Sequence, residues 1–438
     1  MKKIFLIVFS LIFFSCYNNE YDNTEIENPK WIHQAIKNLT DVIVYDIFSP
    51  PVASRVYAYP SIAAYEIIRQ KDTSKYFSFS GQLKELNPIP RAPKNIDLNI
   101  SAIESIRIIG KKLIFSEDRY EKFYQDLYKK EEFKKIPRSV INNSRKYAQK
   151  VSKHIIEWSS KDNYNQTRTF PKYTVKNEPE YWKPTPPDYM DGIEPHWNKI
   201  RTMAIDSCDQ FPAVPPYQFS LKKNSNFHKQ LMEVYNVTNN LNEEQIEIAK
   251  FWDCNPYVSH HRGHAMFATK KITPGGHWIN ICKIAAEKAR ANDMESIRTY
   301  SIVSIALFDA FISCWDEKWK TIVVRPETII NEYLDEDWLP ILQTPPFPEY
   351  TSGHSVISRV AAIALTEIYG ENFGFDDTSE IEFGLPMRSF QSFKKASEEA
   401  AISRLYGGIH YEMAITNGVS QGEKIGKFII KKIKTIKG

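Results

Sequence analysis

Glycine is scarce in this chain: 16 residues of 438. A β-rich architecture built on tight turns draws on many glycines, so their shortage argues against one. Strict apolar–polar alternation is nearly absent, and no repeat of fixed period is visible. Cysteine is sparse as well. Beyond Cys16 only Cys208, Cys254, Cys282 and Cys314 remain, far apart and without CxxC spacing, which excludes the common zinc patterns. Cys282 and Cys314 lie in apolar helical patterns and read as buried small side chains. A Cys208–Cys254 disulfide stays open in an oxidising compartment. The net charge is only +4, too small to mark a nucleic-acid binder.

Long apolar runs are also missing, apart from the N-terminal one. "MKK" is followed by "IFLIVFSLIFFS", residues 4–15, which is short for a membrane span and has the form of a targeting signal. It runs into Cys16, with the small Ser15 before it and the polar "YNNEYDNTEIENPK" after it. That order reads as lipoprotein processing. Residues 1–15 are then a signal peptide, Cys16 the lipidated first residue, 16–30 a polar tether and 31–438 one domain. No other segment reads as a span. The expected location is outside the cytoplasm (periplasm or outer membrane), held to the membrane by the lipid alone.

Aromatics are abundant, with Trp 9, Tyr 24 and Phe 25, which suits a bulky helical interior. "WIHQAIKNLTDVIVYDIF" has helical periodicity and stops at Pro50-Pro51. "SRVYAYPSIAAYEIIRQ", "IDLNISAIESIRIIGKKLIF", "EDRYEKFYQDLYKK" and "PRSVINNSRKYAQKVSKHIIEWSS" continue the pattern. Residues 161–216 are polar, Pro-rich and aperiodic. They read as a long ordered loop held by Trp182, Trp197 and nearby tyrosines, in a position to cover a site. Helices resume at "NEEQIEIAKFWD", with Asn242 and Gln245 spaced as a capping box. They continue through "GHWINICKIAAEKARAN" and the long apolar "MESIRTYSIVSIALFDAFISCWDEKWK" to the C-terminus. The fold class is all-α, helices packed around a bundle-like core.

Chemistry concentrates late in the chain, in three pieces. In "KWKTIVVRP", β-branched residues and Pro326 end the helix near Lys320, so Lys318 sits at a helix end and Arg325 on an extended segment. Both can address one anion, Arg as a planar fork and Lys as a point charge. In "PEYTSGHSVISRV", Ser352-Gly353 opens a helix whose free amides favour an anion, and His354 in the first turn can exchange a proton with it. In "SRLYGGIH", the Gly407-Gly408 break folds Arg404 and His410 toward one point. Arg325 and Arg404 are expected to hold an anion while contributing little to folding. The cluster His260-His261-x-x-His264 lacks a Glu between the histidines and reads as a loop. His277 reads as a turn residue at a helix start.

These three pieces together resemble the signature of the type-2 phosphatidic acid phosphatase and vanadium haloperoxidase superfamily. That signature is a Lys and, past six intervening residues, Arg-Pro; then Pro-Ser-Gly-His; then Ser-Arg with a His six residues beyond. Here the matching residues are Lys318, Arg325-Pro326, Ser352-Gly353-His354, Ser403-Arg404 and His410. "FWDCNP" and "TPGGHW" resemble the soluble haloperoxidase-like branch, so the likeness extends over most of the chain. Trp315 and Phe347 fall where chloroperoxidase-like members line the oxyanion pocket with aromatics.

The resemblance implies the helical bundle of the vanadium chloroperoxidase and acid phosphatase type. It also implies an oxyanion cage of Lys318, Arg325, Arg404, Ser352 and Gly353. In a haloperoxidase, vanadate would be coordinated by His410, with His354 moving protons while peroxide oxidises a halide. In a phosphatase, His410 would attack a phosphate ester, with no cofactor. A non-catalytic surface lipoprotein that keeps the fold is the third reading. Two departures stand out. Thr351 replaces the usual Pro and can serve as a helix cap. Ala414 replaces the Asp that orients the second His in phosphatases, which predicts a weaker nucleophile unless a carbonyl, Asp309 or Asp253 takes over.

Overall fold

The structure, a computed structural model, describes residues 28–262 and 265–437. Cys16, the signal-like run and most of the tether lie outside the described residues, as does His264. The first half contributes α1 (Lys30–Tyr45), α2 (Pro50–Ile68), α3 (Leu98–Leu113), α4 (Glu117–Leu127), the short α5 (Glu131–Lys134) and α6 (Arg138–Ser159). A short α7 (Tyr164–Thr167) interrupts the long loop, and α8 (Asn226–Thr238) and α9 (Glu243–Phe251) follow it. The second half contributes α10 (Pro274–Lys288), α11 (Asp293–Thr321), α12 (Pro326–Tyr333), α13 (Gly353–Tyr369), α14 (Phe393–Tyr406) and α15 (Glu412–Lys432).

The all-α expectation is met, and most boundaries follow local chemistry. Asn242 and Gln245 form the expected capping box on α9. Asn292 and Glu295 form a second one on α11, and such reciprocal bonds satisfy two orphan amides. Pro50 and Pro51 do more than end the first helix. They occupy the first turn of α2, behind the Ser49 cap, where a missing N–H costs nothing.

Two small antiparallel hairpins depart from the sequence reading. One pairs β1 (Ser259–Arg262) with β2 (Ala265–Ala268), and the other pairs β3 (Phe375–Asp377) with β4 (Arg388–Phe390). The His260-His261 pair therefore sits on a strand, not in an open loop. Strands of three or four residues give too little alternation to be seen in sequence.

The central helix is α11. It is long and apolar enough to cross a membrane by composition, contrary to the expectation that no further segment would be, yet 94% of its apolar window is buried inside the protein. It packs on α2 and α13, and α2 packs in turn on α3. The 161–216 loop is ordered because α11 and the strand-like segment after it hold it. Asp309 accepts the amides of Met203, Ala204 and Ile205 at 2.6, 2.6 and 2.9 Å. Trp182 N–H donates to Ile322 O at 2.8 Å, and Val324 N–H to Glu180 O at 3.0 Å. The Cys208–Cys254 disulfide is not formed, and all four described cysteines are free thiols. Cys208 contacts Asp316 and Cys254 contacts His277 instead.

The placement of α15 against α13 depends on small residues one turn apart: Gly418, Gly422 and Gly426. A Cβ on Gly422 would lie 3.1 Å from the Val356 carbonyl carbon and closer still to its oxygen. The three atoms nearest a Cβ on Gly426 would all belong to the Ile363 side chain, at 3.0 Å or more. Backbone cannot yield as a side chain can. Gly422→Ala should therefore destabilise the protein by about 2 kcal/mol despite alanine's better helix propensity, and Gly426→Ala by clearly less. Thermal unfolding of the two variants checks the order.

Candidate active site

The site grows from the end of α11. Lys318 is fully buried, and its Nζ donates to the carbonyls of Pro348, Glu349 and Thr351 at 3.0, 3.1 and 2.6 Å. Arg325, extended as expected, is the residue before α12. Its Nε donates to Phe347 O at 3.0 Å, and its Nη1 to Ile409 O at 2.8 Å. The segment 347–351 thus wraps its carbonyls around two buried cations. Burial lowers Lys318 to about 7 and Arg325 to about 10.

His410 is where the three signature pieces meet. Its Nε2 lies 3.1 Å from Arg325 Nη1, and its Nδ1 lies 2.8 Å from Glu349 Oε1. Arg can only donate, so Nε2 carries a lone pair and Nδ1–H donates to the carboxylate. Burial, with Arg325 beside it, holds the ring well below its ordinary pKa and therefore neutral. Glu349 also accepts the Tyr411 amide at 3.0 Å, and burial raises its carboxyl to about 7.

Glu349 is the functional residue that the sequence reading missed. Neither Asp309 nor Asp253 orients His410. Asp309 binds the amides named above, and Asp253 pairs with Lys271. Ala414 therefore does not leave the ring unsupported. The signal was available, since Glu349 stands in the same short motif as His354. However, a partner on a different loop follows no helical spacing from His410.

At the start of α13, Ser352 is the cap, not Thr351. Its side chain accepts from Ser355 N–H at 3.3 Å, while the Thr351 hydroxyl donates to Gln421 at 2.9 Å. The Ser352 amide is also engaged, donating to Ala414 O at 3.1 Å. Ser352 thus shapes the turn without offering an amide. The amides of Gly353 and His354, at the first two helical positions, have no intrahelical acceptor. Burial, and then the Arg404 charge, holds His354 well below its ordinary pKa. The nearby Trp252 carbonyl opposes that shift in part, and the buried Nε2 has no partner. A neutral ring with its one N–H turned to that side presents a lone pair at Nε2.

Arg404, near the end of α14, donates from Nη2 to the same Trp252 carbonyl at 2.7 Å. It so caps the C-terminus of α9, the end that favours a cation. Arg404 and Arg325 both tie backbone segments together, contrary to the expectation that they contribute little to folding.

One pocket brings together Gly353, His354, Arg404 and His410 with Trp315 and Phe347. Lys318, Arg325 and Ser352 stand behind its wall. The expected aromatics pack together at 5.0 Å between ring centroids, and the Trp315 indole donates to Ile193 O of the long loop at 3.2 Å. That loop backs the pocket; it does not line it. Cys254 and Asp253, from the "FWDCNP" segment, complete the wall. His277 is no simple turn residue. It is buried among Asp377, Glu380 and Cys254.

The residues present fit a tetrahedral oxyanion. Arg325 Nη2 is buried with no partner, as is His354 Nε2. A Cβ on Gly353 would meet only the Trp315 ring edge at 3.9 Å, so the backbone there faces open space. Three buried cations surround the pocket, and Asp253, the carboxylate in its wall, already pairs with Lys271, an arrangement that attracts an anion.

The fold and the site define a helical, oxyanion-binding enzyme. The second helical-bundle domain of VCPO matches residues 298–438. The crystal structure of a bacterial vanadium-dependent iodoperoxidase is 49% identical, with a TM-score of 0.89, covering 94% of this chain and 98% of that one. A holo-type bacterial vanadium-dependent chloroperoxidase shares the fold at 16% identity and a TM-score of 0.69, covering 94% of this chain and 98% of that one. Its apo type shares it at 16% and 0.66, covering 88% and 94%. No curated protein matches the chain. The chain belongs to the vanadium haloperoxidase family.

Anion binding should depend on pH. Lys318 and Glu349 both titrate near 7. As pH rises through that value, Lys318 loses its positive charge and Glu349 gains a negative one, and both changes disfavour an anion. Molybdate is a tetrahedral dianion over this range and does not itself titrate. Its affinity, by calorimetry, should be flat below about pH 7 and fall about tenfold or more per unit above it. Lys318→Met should bind more weakly throughout and lose part of the slope. A flat wild-type profile would show that neither group titrates as described.

Proposed function

We propose that this enzyme uses vanadate to oxidise iodide with hydrogen peroxide. The observation that carries the reading is the near full-length likeness, at 49% identity, to a vanadium-dependent iodoperoxidase. The site chemistry supports it. Bound vanadate would supply the electrophilic centre at which peroxide becomes able to transfer oxygen to the halide.

The chain's own residues divide the remaining work. His410 presents the Nε2 lone pair, and Glu349 fixes the ring through Nδ1. For His410 to reach the anion, Arg325 must pass its Nη1 hydrogen bond from Nε2 to an anion oxygen. Its unpartnered Nη2 can join in a two-point grip. Lys318, Arg404 and the amides of Gly353 and His354 balance the remaining negative charge. His354 Nε2 accepts the proton that peroxide gives up on binding and returns it to the departing oxygen. Trp315 and Phe347 keep the wall apolar, which suits a large, weakly hydrated halide.

Phosphate-ester hydrolysis through His410 is a second reading. The Glu349–His410 pair favours it, because the carboxylate supports a nucleophilic imidazole in place of the missing Asp. One preparation separates the two: ester hydrolysis without vanadate, and peroxide-dependent iodide oxidation after vanadate loading. Under the first reading, His410→Ala loses iodide oxidation and most vanadate binding. His354→Ala keeps measurable vanadate binding but loses turnover. Glu349→Gln lowers vanadate affinity about 10–100-fold, the usual effect of removing a group that orients a ligand histidine. Hydrolysis without any iodide oxidation would favour the second reading.

The reading extends to location, on the sequence alone. Cys16 carries the lipid, and the enzyme works outside the cytoplasm on small molecules. Cys16→Ala should abolish acylation and leave the chain unprocessed or misplaced. Normal processing and fractionation of that variant would refute the anchor.

A further inference from the structure

The pocket wall contains a thiol that the proposed reaction does not use. Cys254 lines the same cavity as His354, Arg404 and His410. Its Sγ lies 3.4 Å from His277 Nδ1, and His277 Nε2 lies 2.8 Å from Asp377 Oδ2. The Asp377 carboxylate is fixed by the Ser379 amide at 2.9 Å. The imidazole stacks on Trp252, centroids 4.6 Å apart at 17°. Thiol, imidazole and carboxylate lie in a chain in which an imidazole N–H facing sulfur can stabilise negative charge that develops there. Glu380 Oε1, buried and without a hydrogen bond, lies 3.0 Å from the same Nδ1.

Three donors so close could suggest a metal. The ring faces a carboxylate at each nitrogen, Asp377 at Nε2 and Glu380 at Nδ1, which favours protons there over a metal. Burial opposes its charge, but Asp377 outweighs burial and holds His277 well above its ordinary pKa. A doubly protonated imidazole has no lone pair for a metal. It does place a positive N–H against sulfur.

We propose that Cys254 is the residue at which hypohalous acid formed in the pocket reacts with the protein, its thiol taking up the halogen and passing to a sulfenic acid. This rests on the haloperoxidase reading above. In the first step the S–H and HO–I bonds break, an S–I bond forms, and the thiol proton leaves with hydroxide as water. In the second, water attacks sulfur, iodide departs and a proton is released. The sum is RSH + HOI → RSOH + I⁻ + H⁺. Sulfur loses two electrons and iodine gains them.

The environment selects the oxidant. Burial raises the Cys254 pKa, although His277 pulls it back in part, so the group is stored as a thiol. Peroxide reacts through the thiolate, so the enzyme's own co-substrate is a poor oxidant of Cys254. Hypohalous acid is a far stronger electrophile and would be made in the same pocket. The charged His277 N–H would also stabilise the sulfenate formed. Cys282 and Cys314 are buried outside this pocket, and burial beside Asp316 raises Cys208 to about 11.

The test counts oxidation at each cysteine by mass spectrometry. Free oxidant is quenched with methionine, sulfenic acid is trapped with dimedone, and sulfinic and sulfonic forms are included. Vanadate-loaded enzyme receives peroxide alone, iodide alone, or both. A fourth sample, without vanadate, receives hypoiodous acid directly. Cys254 should be modified in the third and fourth samples only, with at least tenfold preference over Cys208. His277→Gln should reduce that modification severalfold, and Cys254→Ser should remove it with an unchanged melting transition. The proposal is overturned if Cys254 stays a thiol while iodine forms, or if peroxide alone modifies it equally. If no iodine forms, the haloperoxidase reading has failed, and the fourth sample still decides. Preference for Cys254 there supports its reactivity, and preference for Cys208 refutes it.

Discussion

Buried positive charge is the constraint around which the site is built. Lys318, Arg325 and Arg404 are each almost wholly removed from water. Charged groups cannot be buried without partners, and here most of the partners are backbone carbonyls. Those carbonyls belong to the 347–351 segment, to Ile409 and to the end of α9. Satisfying three cations therefore fixes the relative positions of α9, α11, α13 and α14. The same need explains why an anion would be welcome. An oxyanion would give the cations better partners than neutral carbonyls, and the unpartnered Nη2 of Arg325 has none at all.

The two histidines show how one environment sets two roles. Burial keeps both neutral. What differs is the acceptor on the far side of each ring. His410 donates to a carboxylate, which raises the electron density of its free nitrogen and suits coordination or attack. His354 has only the neutral Trp252 carbonyl beside it, a weaker support, which suits transient proton transfer. The Trp252 carbonyl also holds Arg404, so a single backbone oxygen lies beside both His354 and a buried cation.

Behind that carbonyl lies a second charged layer: His277 with Asp377, Glu380 and Cys254. It stacks against Trp252 and so braces the first layer. Its thiol reaches the pocket, which links the support of the site to the fate of a reactive product. The long 161–216 loop works in a similar way from the other side, holding Trp315 through Ile193 without itself entering the pocket.

Sequence alone determined the features that depend on neighbours along the chain. Helix periodicity, the Asn242 capping box, the helix end near Lys320 and the extended Arg325 were all legible, because local sterics and caps fix them. The signature spacing also singled out His354, His410, Lys318, Arg325, Arg404 and Gly353, and the structure gathers them at neighbouring helix ends. The tertiary structure decided what depends on distant partners. Glu349, not Asp253 or Asp309, orients His410, because a loop wrapped on Lys318 delivers it there. Ser352 lost its amide to Ala414 on another helix, and Arg404 acquired a structural bond to α9. No periodicity encodes these contacts. Buried charges choose their partners in three dimensions, from whatever the packing of helices brings within about 3 Å.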